Sequence, residues 1–140
     1  MSSEIIAPVI ALALWSLVMW VWMYATRIPA SVKARIRLDP TIPPGALMLG
    51  LPATVRWKAD NYNHLMEQPT LFYAVALTIA FTGTGNGLNA WIAWAYVGLR
   101  IVHSLVQATT NKVAPRFLVF AVSTAMLVLL TVHATVAVFA

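Results

Sequence analysis

The chain has 140 residues, of which 61% are hydrophobic and only 9% charged, against about 25% charged in a soluble domain. That balance excludes an ordinary water-soluble surface and points to one small all-α membrane unit over residues 1–140. The absence of cysteine removes disulfides, thiolate nucleophiles and cysteine-ligated metals.

Four apolar runs occur in chain order, roughly residues 5–24, 65–82, 88–108 and 117–140. Each is near the ~20 residues that span a hydrocarbon core as a helix. The first lacks a basic leading segment and a clear small-residue cleavage site, so it reads as a retained helix instead of a signal peptide. Trp15, Trp20, Trp22 and Tyr24 near its far end are open to two readings, headgroup anchors or plain packing. The following connection, about residues 25–51, holds Pro29, Pro40, Pro43 and Pro44, and proline at this density opposes helix. Its "IPPGALMLGLP" is apolar enough to rest on the membrane surface or against the bundle. Pro52 opens a helix that starts outside the membrane and runs inward. "GTGNG", between the second and third runs, is a tight glycine turn.

The charges orient the weave. Eight of the nine basic residues fall in the first and third connections (Arg27, Lys33, Arg35, Arg37, Arg56, Lys58, Lys112, Arg116), and only Arg100 lies inside a span. The positive-inside rule places both basic loops in the cytoplasm and both termini outside. The net charge of +5 then faces anionic lipid, and no nucleic-acid partner is inferred.

The second and third runs carry polar stripes. On a helix begun at Pro52, Arg56, Asp60, Asn63 and Glu67 stand at i, i+4, i+7 and i+11 and cover about 60°. His64 lies at the stripe's edge, while Lys58 and Asn61 point elsewhere, towards water. A charge at the bilayer centre costs at least about 2.5–3.5 kcal/mol, so the stripe must face other helices, another subunit or a wet cavity. Pro69 cannot donate to the carbonyl of Leu65 and loosens the turn beside Glu67. Tyr96, Arg100, His103 and Gln107 repeat the same spacing on the third run. Glu67 and Arg100 sit at comparable depth, and a direct ion pair between them is expected. His103 is either a spacer between helices or a ligand residue, and His133 reads as structural. Arg116, after Pro115, either snorkels to the interface or holds a cation over a pocket mouth, where it binds a carboxylate or lowers a thiol's pKa. Three histidines on scattered helices lack metal-ligand spacing.

The four runs, the long basic first loop, "NHLMEQPTLFYA", and the "RIVH…Q…APR" residues of the third and fourth runs together resemble the MAPEG family, membrane-associated proteins in eicosanoid and glutathione metabolism, and its bacterial branch in particular. The resemblance covers essentially the whole chain. It implies a homotrimer of four-helix bundles, here in a bacterial inner membrane, with a glutathione site between neighbouring subunits on the cytoplasmic side. Glu67 matches the helix-two carboxylate, and Arg100 and His103 match polar positions of helix three. Arg116 matches the arginine that stabilises the glutathione thiolate in catalytic members. Arg27 corresponds to a basic position just past helix one. The chain also departs from that pattern. Asn63 and His64 stand where catalytic members have Arg and Asn, Asp60 replaces an arginine, and Gln107 replaces an aromatic hydroxyl. Three functions fit: a glutathione-dependent transferase or peroxidase acting on hydrophobic electrophiles, with Arg116 catalytic and Glu67, Asn63 and His64 orienting the peptide; a non-catalytic scaffold or accessory subunit of a larger membrane complex; and a binder of a lipid or quinone-like molecule in the inter-subunit groove.

Overall fold

A computed structural model describes residues 3–140 and contains only helices. They are α1 (Ile6–Lys33), α2 (Pro44–Met48), α3 (Ala53–Leu65), α4 (Pro69–Phe81), α5 (Leu88–Thr109) and α6 (Val113–Phe139). The helices α1 and α6, with 28 and 27 residues, are each long and apolar enough to cross a bilayer. The 22 residues of α5 extend about 33 Å at 1.5 Å per residue. The remaining crossing is made by α3 and α4 in succession. The first helix packs on α3, α4 and α5, and α6 packs on α5 and α4.

Two boundaries differ from the sequence reading. The first helix continues nine residues past 24, through Pro29. A proline inside a helix deletes only the bond to the carbonyl four residues back, and the ladder resumes at once, with Ala34 N–H donating to Ala30 O at 2.9 Å. The second run is not one helix. Residues 66–68 form a turn between α3 and α4, so the expectation of unbroken spans is corrected at this point. Pro52 caps α3 immediately before its first helical residue.

The packing reading of the first-run aromatics holds for part of the set. Trp20 and Tyr24 are exposed and meet edge-to-face at 5.1 Å. Trp15 and Trp22 pack against the core. The "IPPGALMLGLP" stretch forms the single turn of α2, which meets α1 where Arg27 Nε donates to Met48 Sδ at 3.3 Å. Ahead of it, the Thr41 hydroxyl and amide both donate to Asp39 and hold its carboxyl below the ordinary range.

The half of the bundle away from the basic loops has an apolar core. Leu12 and Met19 of α1, Phe72, Ala76 and Ile79 of α4, Tyr96 of α5 and Leu130 of α6 are fully buried there, with Phe72 and Tyr96 stacked at 4.5 Å. Its end is closed by the 83–87 turn, onto which the N-terminal segment is strapped by Ile5 N–H donating to Gly85 O at 2.9 Å. A Cβ at Gly85 would stand 1.9 Å from Ser3 Oγ and 2.7 Å from Ile5 Cγ2, and Ile5 is fully buried. Gly85→Ala is therefore expected to destabilise the protein by about 1–3 kcal/mol, the usual range for overpacking, read as a lowered thermal midpoint in mild detergent.

Candidate functional site

The site is organised by the break between α3 and α4. Pro69 has no N–H, so the ladder tightens before it: Met66 N–H donates to Asn63 O at 3.0 Å and Glu67 N–H to His64 O at 3.2 Å, bonds of the short three-residue kind. Gln68 fills the gap with its side chain, donating to Thr124 Oγ1 at 3.0 Å and accepting from Tyr96 Oη at 3.4 Å. Gln68 thereby ties the turn to α6 and α5 through two hydroxyl groups.

Arg100 lies at the centre with 0% exposure. Its guanidinium sits over the rings of Tyr96 and Phe120 at 5.2 and 5.1 Å, its Nε donates to Tyr96 Oη at 3.2 Å, and its NH1 lies 3.0 Å from His64 Nε2. Arginine can only donate. His64 Nε2 must therefore accept, which leaves the imidazole proton on Nδ1, facing Glu67 Oε2 at 3.5 Å.

The direct Glu67–Arg100 pair expected from the sequence is not formed. His64 stands between the two groups, and the Glu67 side chain is 70% exposed. Glu67 shares the exposed face of Asp60 and Asn63, opposite the buried face of α3, and so points away from Arg100. The assignment of Lys58 and Asn61 to water is also corrected, because both are buried. Lys58 Nζ donates to Thr54 O at 2.8 Å and to Ala108 O at 3.3 Å, with the Trp22 ring 5.0 Å away. Ala108 is in the last turn of α5, where unpaired carbonyls and the helix dipole favour a cation. Asn61 Nδ2 donates to Gln107 Oε1 at 3.0 Å. The inner face of α3 is thus Lys58, Asn61 and Leu65, with His64 at its edge, while Asp60, Asn63 and Glu67 are exposed.

Five of the candidate residues converge. His103 stacks on His64 at 4.7 Å, Arg100 braces His64 from behind, and His64, His103, Gln107 and Arg116 line one cavity of about 230 Å³. Its apolar walls are Val113, Phe117 and Phe120 on α6. Arg116 NH1 donates to Asn111 Oδ1, and Asn111 takes a left-handed φ of 50°, which asparagine tolerates better than most residues, in the turn from α5 to α6. The walls were missed in the sequence although 113, 117 and 120 fall on one helix face with Arg116 beside them. Arg27 and Asn63 are not part of this cavity. They line a second one of about 250 Å³, with Arg56 and Asp60, between α1, α2 and α3. His133 lines neither cavity and bonds Asn89 at 2.6 Å.

A family model for MAPEG matches residues 5–136, and the chain belongs to the MAPEG family. It is accordingly a membrane protein of the four-transmembrane-helix fold, in which the α3–α4 pair supplies the second span. Membership brings with it a lipid environment, an oligomeric assembly and a family in which glutathione binding is common. Comparison with curated proteins and with solved structures gave no match.

The His64–Arg100 contact has a measurable consequence. His64→Leu leaves a second buried nitrogen of Arg100 unbonded, beside the NH2 that already has no partner. The expected loss is about 2 kcal/mol of unfolding free energy, as for hydrogen bonds to charged groups. Replacing both residues by leucine should recover much of that loss, because an apolar pair carries no stranded charge. A double-mutant cycle on thermal unfolding in detergent measures both effects.

Proposed function

We propose that this MAPEG protein is a glutathione-dependent transferase or peroxidase acting on hydrophobic electrophiles that partition from the bilayer. The observation that carries the reading is the chemistry of the α5–α6 cavity. One guanidinium, two imidazoles and a carboxamide line it, no carboxylate does, and two phenyl rings complete the wall. Such a lining suits an anionic group and an apolar one side by side. Arg116 stabilises the thiolate of a bound thiol, because a nearby positive charge favours the anion and the anion is the nucleophile. Phe117 and Phe120 receive the apolar electrophile. In transfer, the thiolate sulfur bonds to the electrophilic carbon as that carbon's bond to its leaving group breaks and the group departs with the electron pair. In peroxide reduction, the thiolate attacks one peroxide oxygen, the O–O bond breaks to release an alcohol after protonation, and a second thiol displaces water from the resulting sulfenic acid to give a disulfide.

A cavity of about 230 Å³ admits the thiol end of a tripeptide but not its whole length. We propose that the rest lies against a neighbouring subunit in a homotrimer, on the stripe of Asp60, Asn63 and Glu67 and the cavity holding Arg27 and Arg56. Two features support this. The stripe is exposed in the protomer, although charges at that depth do not face lipid. The two arginines bond only Met48 Sδ and the Leu51 carbonyl among the described residues, which leaves their terminal nitrogens for carboxylates. Asp60 stands against this supply of cations and favours a peptide whose amino group lies beside it.

The ultraviolet difference spectrum of the glutathione thiolate tests the proposal. Adding glutathione to purified protein should produce the thiolate band, and Arg116→Ala should abolish it while glutathione is still retained. No band in the unaltered protein overturns the catalytic reading, and copurification in a large complex on a native gel would then identify an accessory subunit. The proposed orientation, with both basic loops in the cytoplasm of a bacterial inner membrane, is tested separately. Thr84→Cys introduces the only cysteine of the chain, and it should react with an impermeant maleimide on intact cells. Reaction only after lysis inverts the orientation.

A further inference from the structure

At the end of the bundle away from the basic loops, one carboxylate stands without a cation. Glu4 is the only acidic or basic side chain, histidine aside, in residues 1–26, 68–99 and 117–140. It is also held in place. Its N–H donates to Asn86 Oδ1 at 2.9 Å, the next residue is strapped to the Gly85 carbonyl, and its Oε2 accepts from Gly87 N–H at 2.9 Å. The last bond caps the start of α5, but it occupies one carboxylate oxygen only.

The carboxylate so fixed lines a cavity of about 600 Å³ with the indoles of Trp91 and Trp94 and the small side chains of Ala7 and Ala90. Both tryptophans are exposed, Trp91 by 75%, and they lie one turn apart on α5. Ala7 begins a row on α1 that continues through Ile10, Leu14 and Leu17, each more than half exposed and at i+3, i+7 and i+10. A fixed negative charge beside two indole faces attracts an ammonium group, since tryptophan gives the strongest cation–π attraction. The apolar row below it supplies a track for an acyl chain.

We propose that this cavity binds the ammonium headgroup of a zwitterionic phospholipid, with Glu4, Trp91 and Trp94 around the cation and an acyl chain along the exposed row of α1. The row of aliphatic side chains favours a lipid over a free amine, and the lone carboxylate disfavours a headgroup without a cation. The site is separate from the thiol-binding cavity and does not depend on it.

The full-length protein in mild detergent is titrated with short-chain phosphatidylethanolamine and, in parallel, with phosphatidylglycerol of the same chain length, and bound lipid is read by native mass spectrometry. The ethanolamine lipid should bind saturably and about fivefold more tightly, the scale of one exposed charge pair with cation–π help. Glu4→Gln should erase that preference, and its amide oxygen still accepts from Gly87 N–H, so the α5 cap remains. Trp91→Leu, at a side chain outside the core, should weaken the ethanolamine lipid without shifting the thermal midpoint. Choline chloride should compete only at far higher concentration than the lipid. Equal binding of the two lipids, or an unchanged preference in both variants, reduces the cavity to ordinary lipid contact and overturns the proposal. Choline binding as tightly as the lipid overturns it too, in favour of a soluble amine.

Discussion

Arg100 places a guanidinium inside an apolar bundle with no carboxylate in ion-pair contact among the described residues. A buried charge of this kind is held by hydrogen bonds and by polarisable neighbours or it is not held at all. Tyr96, His64 and two aromatic rings supply those contacts. The tautomer of His64 follows from them, and with it the direction in which its proton faces. The stacking of His103 then fixes the inner wall of the cavity. The imidazole wall of the cavity therefore follows from how the bundle accommodates one arginine, and Arg116 supplies the positive charge of the lining.

Two kinds of polar surface result on α3, and they do different work. The inward one, Lys58, Asn61 and His64, bonds within the protomer to a helix end, a carboxamide and a guanidinium, although Asn61 Oδ1 has no partner. The outward one, Asp60, Asn63 and Glu67, is left open. An exposed polar face in a membrane protein is available for a ligand, a neighbour or both. The half of the bundle away from the basic loops offers no such choice, since Phe72, Tyr96 and their neighbours close it.

Much of the fold was legible because membrane helices are long, apolar and separated by turn chemistry. The four runs and the glycine turn stood out on composition alone, and Pro69 marked the weak point of the second run. The extension of α1 through Pro29 was not legible. A proline forbids one hydrogen bond, and whether the helix survives depends on the bonds around it. Lys58 was misplaced for a different reason. Its partner, the carbonyl end of α5, is brought to it by tertiary packing and leaves no trace near residue 58. Glu67 keeps the face it shares with Asp60 and Asn63, but that face is the outward one, and which of the two polar faces of α3 turns inward is decided by packing against α5. Spacing alone puts His103 and Gln107 on one stripe with Tyr96 and Arg100, and Arg116 is read apart from them; the cavity, formed by tertiary packing, joins Arg116 to His103 and Gln107.

The interruption at residues 66–68 divides the second span into two segments whose rotational settings are not locked to one another by a continuous ladder. A change of one residue in the length of that turn rotates α3 by about 100° relative to α4. The exposed polar face of α3 can thus be re-aimed while Phe72, Ala76 and Ile79 keep their places in the core.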